Sequence, residues 1–157
     1  MFFDDPIKAF SNIFNALKPS GELSFVCWQG AEENPWQSDS MQILSNHIDI
    51  PKLPVNAPGP FAFSDPNYIK KILNTSGFKK VVIENFKSKM ILFPEKSTKE
   101  AVIEYIAINP TIKDLIQDVS HDIYEKIIDD MTQRFSTYYL NNDTEFPAAA
   151  WVVSGMK

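Results

Sequence analysis

Glycine is scarce in this chain of 157 residues, and its five glycines are never closer than nine residues apart. This spacing excludes the GxGxxG and GxxxxGK[ST] loops, in which clustered glycines let backbone N–H groups surround a phosphate. Long hydrophobic runs are also missing, since no stretch reaches the roughly 18 to 20 apolar residues of a membrane span. The first residues lack the basic segment of a signal peptide. We therefore expect no membrane insertion and no secretion.

Cysteine and histidine are almost absent, with one cysteine and two histidines. Cys27 has no partner for an internal disulfide and lies in an apolar run, which is typical of a buried thiol and of a reducing, cytoplasmic location. His47 and His121 lie far apart and lack the HExxH spacing, so we predict no metal site. No Gly-x-Ser-x-Gly motif occurs either, so a nucleophile elbow is not expected.

Positive charge is in deficit, because 15 Lys and Arg face 20 Asp and Glu, for a net charge of −5. Nucleic-acid binding needs a clustered basic surface, so we expect no nucleic-acid partner. The chain is rich in apolar residues, since 44% of its residues are hydrophobic and 13% are aromatic. That content and length predict a single folded domain over residues 1–157.

The first elements form a helix, a turn and a strand. Asp5 followed by Pro6 is typical of a helix start, because Asp caps free N–H groups and Pro suits the first helical position. The turn residues 18–21 end that helix. Glu22–Trp28 is apolar on nearly both faces, which predicts a strand in a sheet covered on both sides. This alternation indicates an α/β fold.

The remaining chain continues with helices and strands around one weakly patterned, proline-rich segment. Residues 29–63 are predicted to form a pocket loop or lid, and residues 97–140 to form a helical insertion that opens with the capping box Ser97 to Glu100. The predicted helices span 38–48, 66–76, 98–108, 111–118 and 120–139, and the predicted strands span 78–86, with an extended continuation over 89–93, and 148–154.

Several aromatic side chains stand at the ends of predicted elements or in the loops beside them. They are Phe2, Phe3, Trp28, Trp36, Phe61 and Phe63. In doubly wound sheets, ligands bind beyond the carboxyl ends of the strands, which is where Trp28 stands. Aromatic side chains also fill cores, so both a pocket wall and a core remain open as interpretations.

The order and spacing of several short runs resemble a known family. They are Met1–Phe10, Ala16–Leu23, Phe25–Trp28, Glu33–Trp36, Gly59–Pro66, Ile72–Leu73, Ser76–Phe78 and Pro147–Trp151. Together they resemble the C-terminal half of class I S-adenosylmethionine-dependent methyltransferases of the small-molecule branch, over nearly the whole chain. Ser20 departs from the family pattern, which often has a second glycine in that turn.

The resemblance implies a truncated half of a Rossmann-like sheet with strand order 4-5-7-6, an antiparallel last strand and added helices. Residues 1–3 would be the tail of the fourth strand, Glu22–Trp28 the fifth, residues 78–86 the sixth and residues 148–154 the seventh. It also implies substrate-binding residues: Phe3 beside the reacting centre, and Trp28, Asn34, Trp36 and Phe61 around the acceptor. No catalytic or cofactor-binding residue is implied in this chain.

The implied activity is methyl transfer from S-adenosylmethionine to a small-molecule acceptor in the full-length enzyme. The family's cofactor-holding segments would precede this chain, so we expect the chain alone to bind no cofactor tightly and to be inactive. An unpaired sheet edge at the fourth strand predicts a homodimer or a separate N-terminal half as partner. The alternative is a non-catalytic remnant that binds an apolar small molecule or serves as a dimerising interaction module.

Overall fold

Six α-helices and four β-strands make up the structure, a computed structural model that describes residues 1–157. In chain order they are α1 (Pro6–Ala16), β1 (Glu22–Trp28), a 3-10 turn (Ala31–Glu33), α2 (Pro35–Ser45), α3 (Pro66–Thr75), β2 (Lys79–Ile91), α4 (Thr98–Ile108), α5 (Pro110–Ile116), α6 (His121–Ser136), β3 (Tyr139–Leu140) and β4 (Asp143–Met156).

The sheet has the order β1-β4-β2, so the last strand of the chain lies between the two earlier ones. β4 runs antiparallel to β1, with Glu22 opposite Met156 and Trp28 opposite Ala150. This confirms the expected order of the fifth, seventh and sixth strands, the antiparallel last strand and the α/β class. Residues 1–3 lie outside any strand, so the expected tail of a fourth strand is wrong. The Met1 carbonyl instead accepts a hydrogen bond from the Gly59 N–H at 3.2 Å.

The prediction that β1 is covered on both faces is also wrong. Residues along β1 alternate between more and less exposed positions, and Val26 is 61% exposed. Successive side chains of a strand point to opposite faces, and only the face carrying Phe25 and Cys27 packs into a core. On the other face, Glu22, Ser24 and Val26 are exposed.

Local capping explains where several helices begin. The Asp5 carboxylate accepts a hydrogen bond from the Lys8 N–H at 2.9 Å, and Asp65 accepts one from the Asn67 N–H at 2.8 Å. At α4 the Ser97 and Glu100 side chains form the predicted capping box. These contacts confirm the predicted helix starts. The starts could be predicted from the sequence because a cap and its partners lie within one helical turn of each other.

Three element boundaries differ from prediction for identifiable reasons. α2 begins at Pro35, before the predicted start, because Asn34 precedes a proline at the first helical position. β2 is one unbroken strand, and β4 begins at Asp143. The early start follows from a hairpin in which β3 pairs with β4 across Asn141 and Asn142, both at positive φ (53° and 69°). Such a turn matches the twist of two antiparallel strands.

The chain divides into two compact units. Unit 1 comprises Met1–Glu33, Leu53–Ser88 and Ala149–Lys157. Its core packs α1 and α3 on the sheet around Phe10, Cys27, Ala62, Phe63, Ile69, Ile72, Leu73, Phe78 and Val153. The Ser76 hydroxyl donates a hydrogen bond to the Ile7 carbonyl at 3.1 Å and joins the two helices.

Unit 2 comprises Asn34–Lys52 and Lys89–Ala148. Within it, α2 and α4 both pack on α6. The apolar side of α6 is buried at Ile127, Met131 and Phe135, which confirms that this stripe is core. The predicted helical insertion, residues 97–140, falls wholly in unit 2. The predicted lid, residues 29–63, is split, since residues 34–52 belong to unit 2 and the rest to unit 1.

Candidate functional site

The five predicted substrate-binding residues fall in both units. Phe3, Trp28 and Phe61 belong to unit 1, and Asn34 and Trp36 belong to unit 2. Within unit 1 the three occupy the amino-terminal segment, the last position of β1 and the loop before α3. Within unit 2 the other two open α2. Their shared role around one acceptor remains a prediction.

In unit 1, Phe3 stands at the border of an aromatic cluster. Its ring meets the Phe10 ring edge-on at 6.0 Å between centroids, and Phe10 packs against Phe63 at 5.8 Å. Phe10 and Phe63 are buried, whereas Phe3 is 41% exposed. Phe3 is therefore anchored to the core on one side and partly exposed to solvent.

Gln29, the residue after Trp28, holds the carboxyl end of β1 in place. Its side-chain amide is buried and donates hydrogen bonds to Asn85 Oδ1 at 2.7 Å and to the Ala150 carbonyl at 2.9 Å. Its backbone N–H donates to the Ala149 carbonyl at 3.0 Å. Gln29 thus joins residues of all three main strands beside Trp28. Sequence reasoning missed this residue, although a polar side chain directly after an apolar strand was the available signal.

In unit 2, Asn34 and Trp36 contact each other directly. The Trp36 indole N–H donates a hydrogen bond to Asn34 Oδ1 at 3.3 Å, and both residues are buried. The Trp36 ring also meets the Tyr105 ring edge-on at 6.5 Å. Two residues predicted to line a pocket are therefore brought together, on the side of α2 that packs within its own unit.

Tyr105 joins Trp36 to a buried polar network that sequence reasoning missed. The Tyr105 hydroxyl donates to Gln37 Oε1 at 3.0 Å and accepts from the Asn109 amide at 3.1 Å. Burial raises the pKa of Tyr105 to about 12, and hydrogen bonds with Ser40 and Asn109 oppose that rise. The hydroxyl is therefore neutral near pH 7 and acts as a fixed donor and acceptor.

A second network in unit 2 centres on Asp39, which is 7% exposed. Arg134 binds both of its carboxylate oxygens, through Nε at 2.8 Å and Nη2 at 3.2 Å, and the Tyr138 hydroxyl donates to Oδ2 at 2.9 Å. Burial, followed by the neighbouring Asp39 carboxylate, raises the pKa of Tyr138. The hydrogen bond to Asp39 raises the pKa of Arg134. No sequence spacing could have revealed this pair, because its partners are 95 residues apart.

Cys27 and His47 were the candidates for nucleophilic or metal chemistry, and each has a polar partner within its own unit. Cys27 is buried, its thiol donates to the Phe63 carbonyl at 3.6 Å, and burial raises its pKa to about 11. The predicted burial of Cys27 is therefore confirmed, and a buried thiol of this kind stays protonated near pH 7. His47 Nε2 lies 2.8 Å from Asp130 Oδ2. No group of three or more His, Cys, Asp and Glu side chains is arranged to hold a metal ion.

The helices of this chain are too short or too polar to cross a bilayer. The glycines are likewise dispersed in the folded chain, at turns and ends, and form no glycine-rich loop.

Comparison with known proteins gives structural similarity only. No protein-family model matches the chain. No curated protein matches it by sequence. Among solved structures, a Bacillus halodurans protein assigned as a methyltransferase is 13% identical, with 99% of this chain and 59% of that chain covered and a TM-score of 0.46.

Two further structures are of phosphoethanolamine N-methyltransferase 2 from Haemonchus contortus, each 16% identical to this chain over 99% of its length. The complex with phosphomonomethylethanolamine and S-adenosylhomocysteine has 31% of its chain covered and a TM-score of 0.40. The complex with S-adenosylmethionine has 30% covered and a TM-score of 0.35. The chain thus spans 59% or less of these methyltransferases, and at such low TM-scores the likeness carries no argument about activity.

Proposed function

We propose that this chain is the C-terminal, acceptor-side part of a cytoplasmic S-adenosylmethionine-dependent methyltransferase that acts on a small molecule. The observation that carries the proposal is the sheet. Its last strand, β4, lies between β1 and β2 and runs antiparallel to β1, in the order that the sequence resemblance implied. The free thiol of Cys27 suits a reducing compartment.

The chain's own contribution is to bind and orient the acceptor. Holding a nucleophile in line with the methyl group it attacks supplies much of the rate of such a transfer. Trp28 is half-buried at the end of β1, next to the hydrogen bonds of Gln29, and Phe3 is partly exposed on a fixed aromatic base. Rigid, partly exposed rings of this kind suit the apolar wall of a small-molecule pocket.

S-adenosylmethionine is the methyl donor of the proposed full-length enzyme. We propose that it is held by residues outside residues 1–157. The test is calorimetric titration of the chain with S-adenosylhomocysteine. We expect no heat of binding from the chain alone. Binding at micromolar strength or better would contradict this assignment, because it would require a cofactor site within the chain or within an assembly of its copies.

The activity itself is tested by sequencing the DNA upstream of the Met1 codon and expressing any in-frame extension together with the chain. Transfer of labelled methyl groups from S-adenosylmethionine to small molecules of a cell extract is the measurement. We expect transfer by the extended protein and a loss of about tenfold or more in Trp28→Leu. Phe86→Leu, at an exposed position of β2, is the matched control. An extended, folded protein without transfer would contradict the proposal.

A second candidate, an interaction module without catalysis, is favoured by the exposed apolar surface of unit 1. β1 is a terminal strand of the sheet, and Val26 on its open face is 61% exposed. Phe2 is 70% exposed. Terminal strands and apolar patches recruit partner chains, so we propose a homodimer or pairing with a separate N-terminal half.

Light scattering over a concentration series tests the homodimer. We expect a dimer that Val26→Lys dissociates, whereas Lys80→Glu, at an exposed position of β2, leaves it intact. A monomeric mass at every concentration would contradict the homodimer.

A further inference from the structure

A cavity of about 660 Å³ lies wholly within unit 2, among α4, α5 and the start of α6. This is a common size for small-molecule sites, which are mostly apolar with a few placed polar groups. Its apolar lining comes from Ile103, Ile106, Ile116 and Val119. Ile106 and Ile116 are buried, while Ile103 is 41% exposed. The floor is therefore built from the core, and the rim is open to solvent.

The lining of this cavity includes Lys113 on α5 and His121 at the start of α6, and none of the lining residues is acidic. The Lys113 ammonium makes no ion pair, whereas Lys96 and Lys99 in the same unit are each paired with a carboxylate. In a chain with a net charge of −5, an unpaired cation at the rim of an apolar cavity favours an amphipathic anion.

We propose that this cavity binds an aliphatic monocarboxylate, with the hydrocarbon chain on the isoleucine floor and the carboxylate at Lys113. Burial of each methylene supplies most of the affinity. The ammonium selects the sign of the head group, because a carboxylate there gains a charge-assisted hydrogen bond. His121 belongs to the same lining, and an imidazole N–H can donate a second one. This site is separate from the proposed acceptor residues and does not depend on methyl transfer.

The experiment titrates the folded chain with decanoate, with decanol and decyltrimethylammonium as neutral and cationic counterparts of the same length. Calorimetry measures affinity, and NMR of isoleucine methyl groups locates binding. We expect saturable binding of decanoate, with shifts confined to Ile103, Ile106, Ile116 and their neighbours. Decanol should bind more weakly, and decyltrimethylammonium more weakly still.

Two variants separate the head-group contact from the cavity. Lys113→Met should weaken decanoate about fivefold or more, the effect of roughly one ion pair, and leave decanol unchanged. Ala107→Trp, which fills the cavity from an exposed position of α4, should abolish both. Lys126→Met, at an exposed lysine of α6 outside the lining, is the matched control and should bind decanoate as the parent does.

Three results would overturn the proposal. They are the absence of saturable decanoate binding, equal binding of all three head groups, and equal effects of Lys113→Met and Lys126→Met. Thermal unfolding, followed by circular dichroism, is measured for each variant. A variant that is folded at the titration temperature and has lost binding has lost it through the substituted side chain.

Discussion

A Cβ atom on Gly77 would lie 3.1 Å from Cζ of Phe14, and Gly77 itself has φ of +103°. The turn between α3 and β2 therefore lets α1 approach closely because position 77 has no side chain. An alanine at position 77 would be unfavourable for two reasons: residues with a side chain rarely adopt this backbone conformation, and its Cβ would lie too close to the Phe14 ring.

We expect Gly77→Ala to lower the free energy of unfolding by more than about 1 kcal/mol. Gly59→Ala is the matched control, because its nearest non-neighbouring atom would be 3.8 Å away. That change should stay within about 0.5 kcal/mol. Urea unfolding measures both, and equal effects of the two changes would refute the role of the turn.

The ion pair of Asp39 and Arg134 predicts unequal effects of removing its two partners. The Asp39 side chain is 9% exposed and that of Arg134 is 49% exposed. Arg134→Met leaves a buried carboxylate with Tyr138 as its remaining donor, whereas Asp39→Asn leaves a cation that water can solvate. We expect Arg134→Met to destabilise the protein by about 2 kcal/mol, and by more than Asp39→Asn.

Adding Asp39→Asn to Arg134→Met should recover part of that loss, because the double variant buries no charge. A double-mutant cycle from urea unfolding measures the recovery. Additive losses would show that the pair contributes no coupling.

The raised pKa of Tyr105 predicts that the protein loses stability in alkaline solution. Its pKa rises to about 12 on folding from an ordinary value of 10, so above pH 10 the unfolded chain releases a proton that the folded chain retains. Stability contributed by the neutral hydroxyl is fully present below pH 10 and is lost as the pH rises toward 12.

Tyr105→Phe should cost about 1–2 kcal/mol at pH 8, because Gln37 and Asn109 lose a shared partner. That cost should shrink between pH 9 and pH 11, since the variant has no hydroxyl to titrate at this position. Tyr139→Phe, at an exposed tyrosine, is the control for loss of a tyrosine hydroxyl. A cost for Tyr105→Phe that is constant with pH would contradict the raised pKa.

The burial of Cys27 predicts that its thiol reacts only when the chain unfolds. At pH 8 a pKa of about 11 instead of 9 reduces the thiolate fraction roughly 100-fold, and burial adds steric protection. We expect iodoacetamide to modify the folded chain at least that much more slowly than the chain in urea. Comparable rates in both conditions would mean that β1 opens readily.

The sequence by itself determined the local elements of this protein. Helix starts at Asp5-Pro6, Asp65-Pro66 and Ser97 to Glu100 were predicted because a cap and its N–H partners lie within one turn. β1 was predicted to the residue, and the order of the three main strands followed from the family resemblance. The hairpin at Asn141 and Asn142 carried a sequence signal of the same local kind, and it was missed.

Only the tertiary structure decided which side chains meet over long distances in the chain. The open face of β1 could not be predicted, because Val26 is as apolar as its buried neighbours and coverage depends on which elements pack above it. Gln29 donates a hydrogen bond to Asn85, which is 56 residues away in the sequence, and Asp39 pairs with Arg134, which is 95 residues away. Hydrogen bonds and ion pairs act over a few ångströms of space, and no periodicity of the sequence encodes which distant residues folding brings that close.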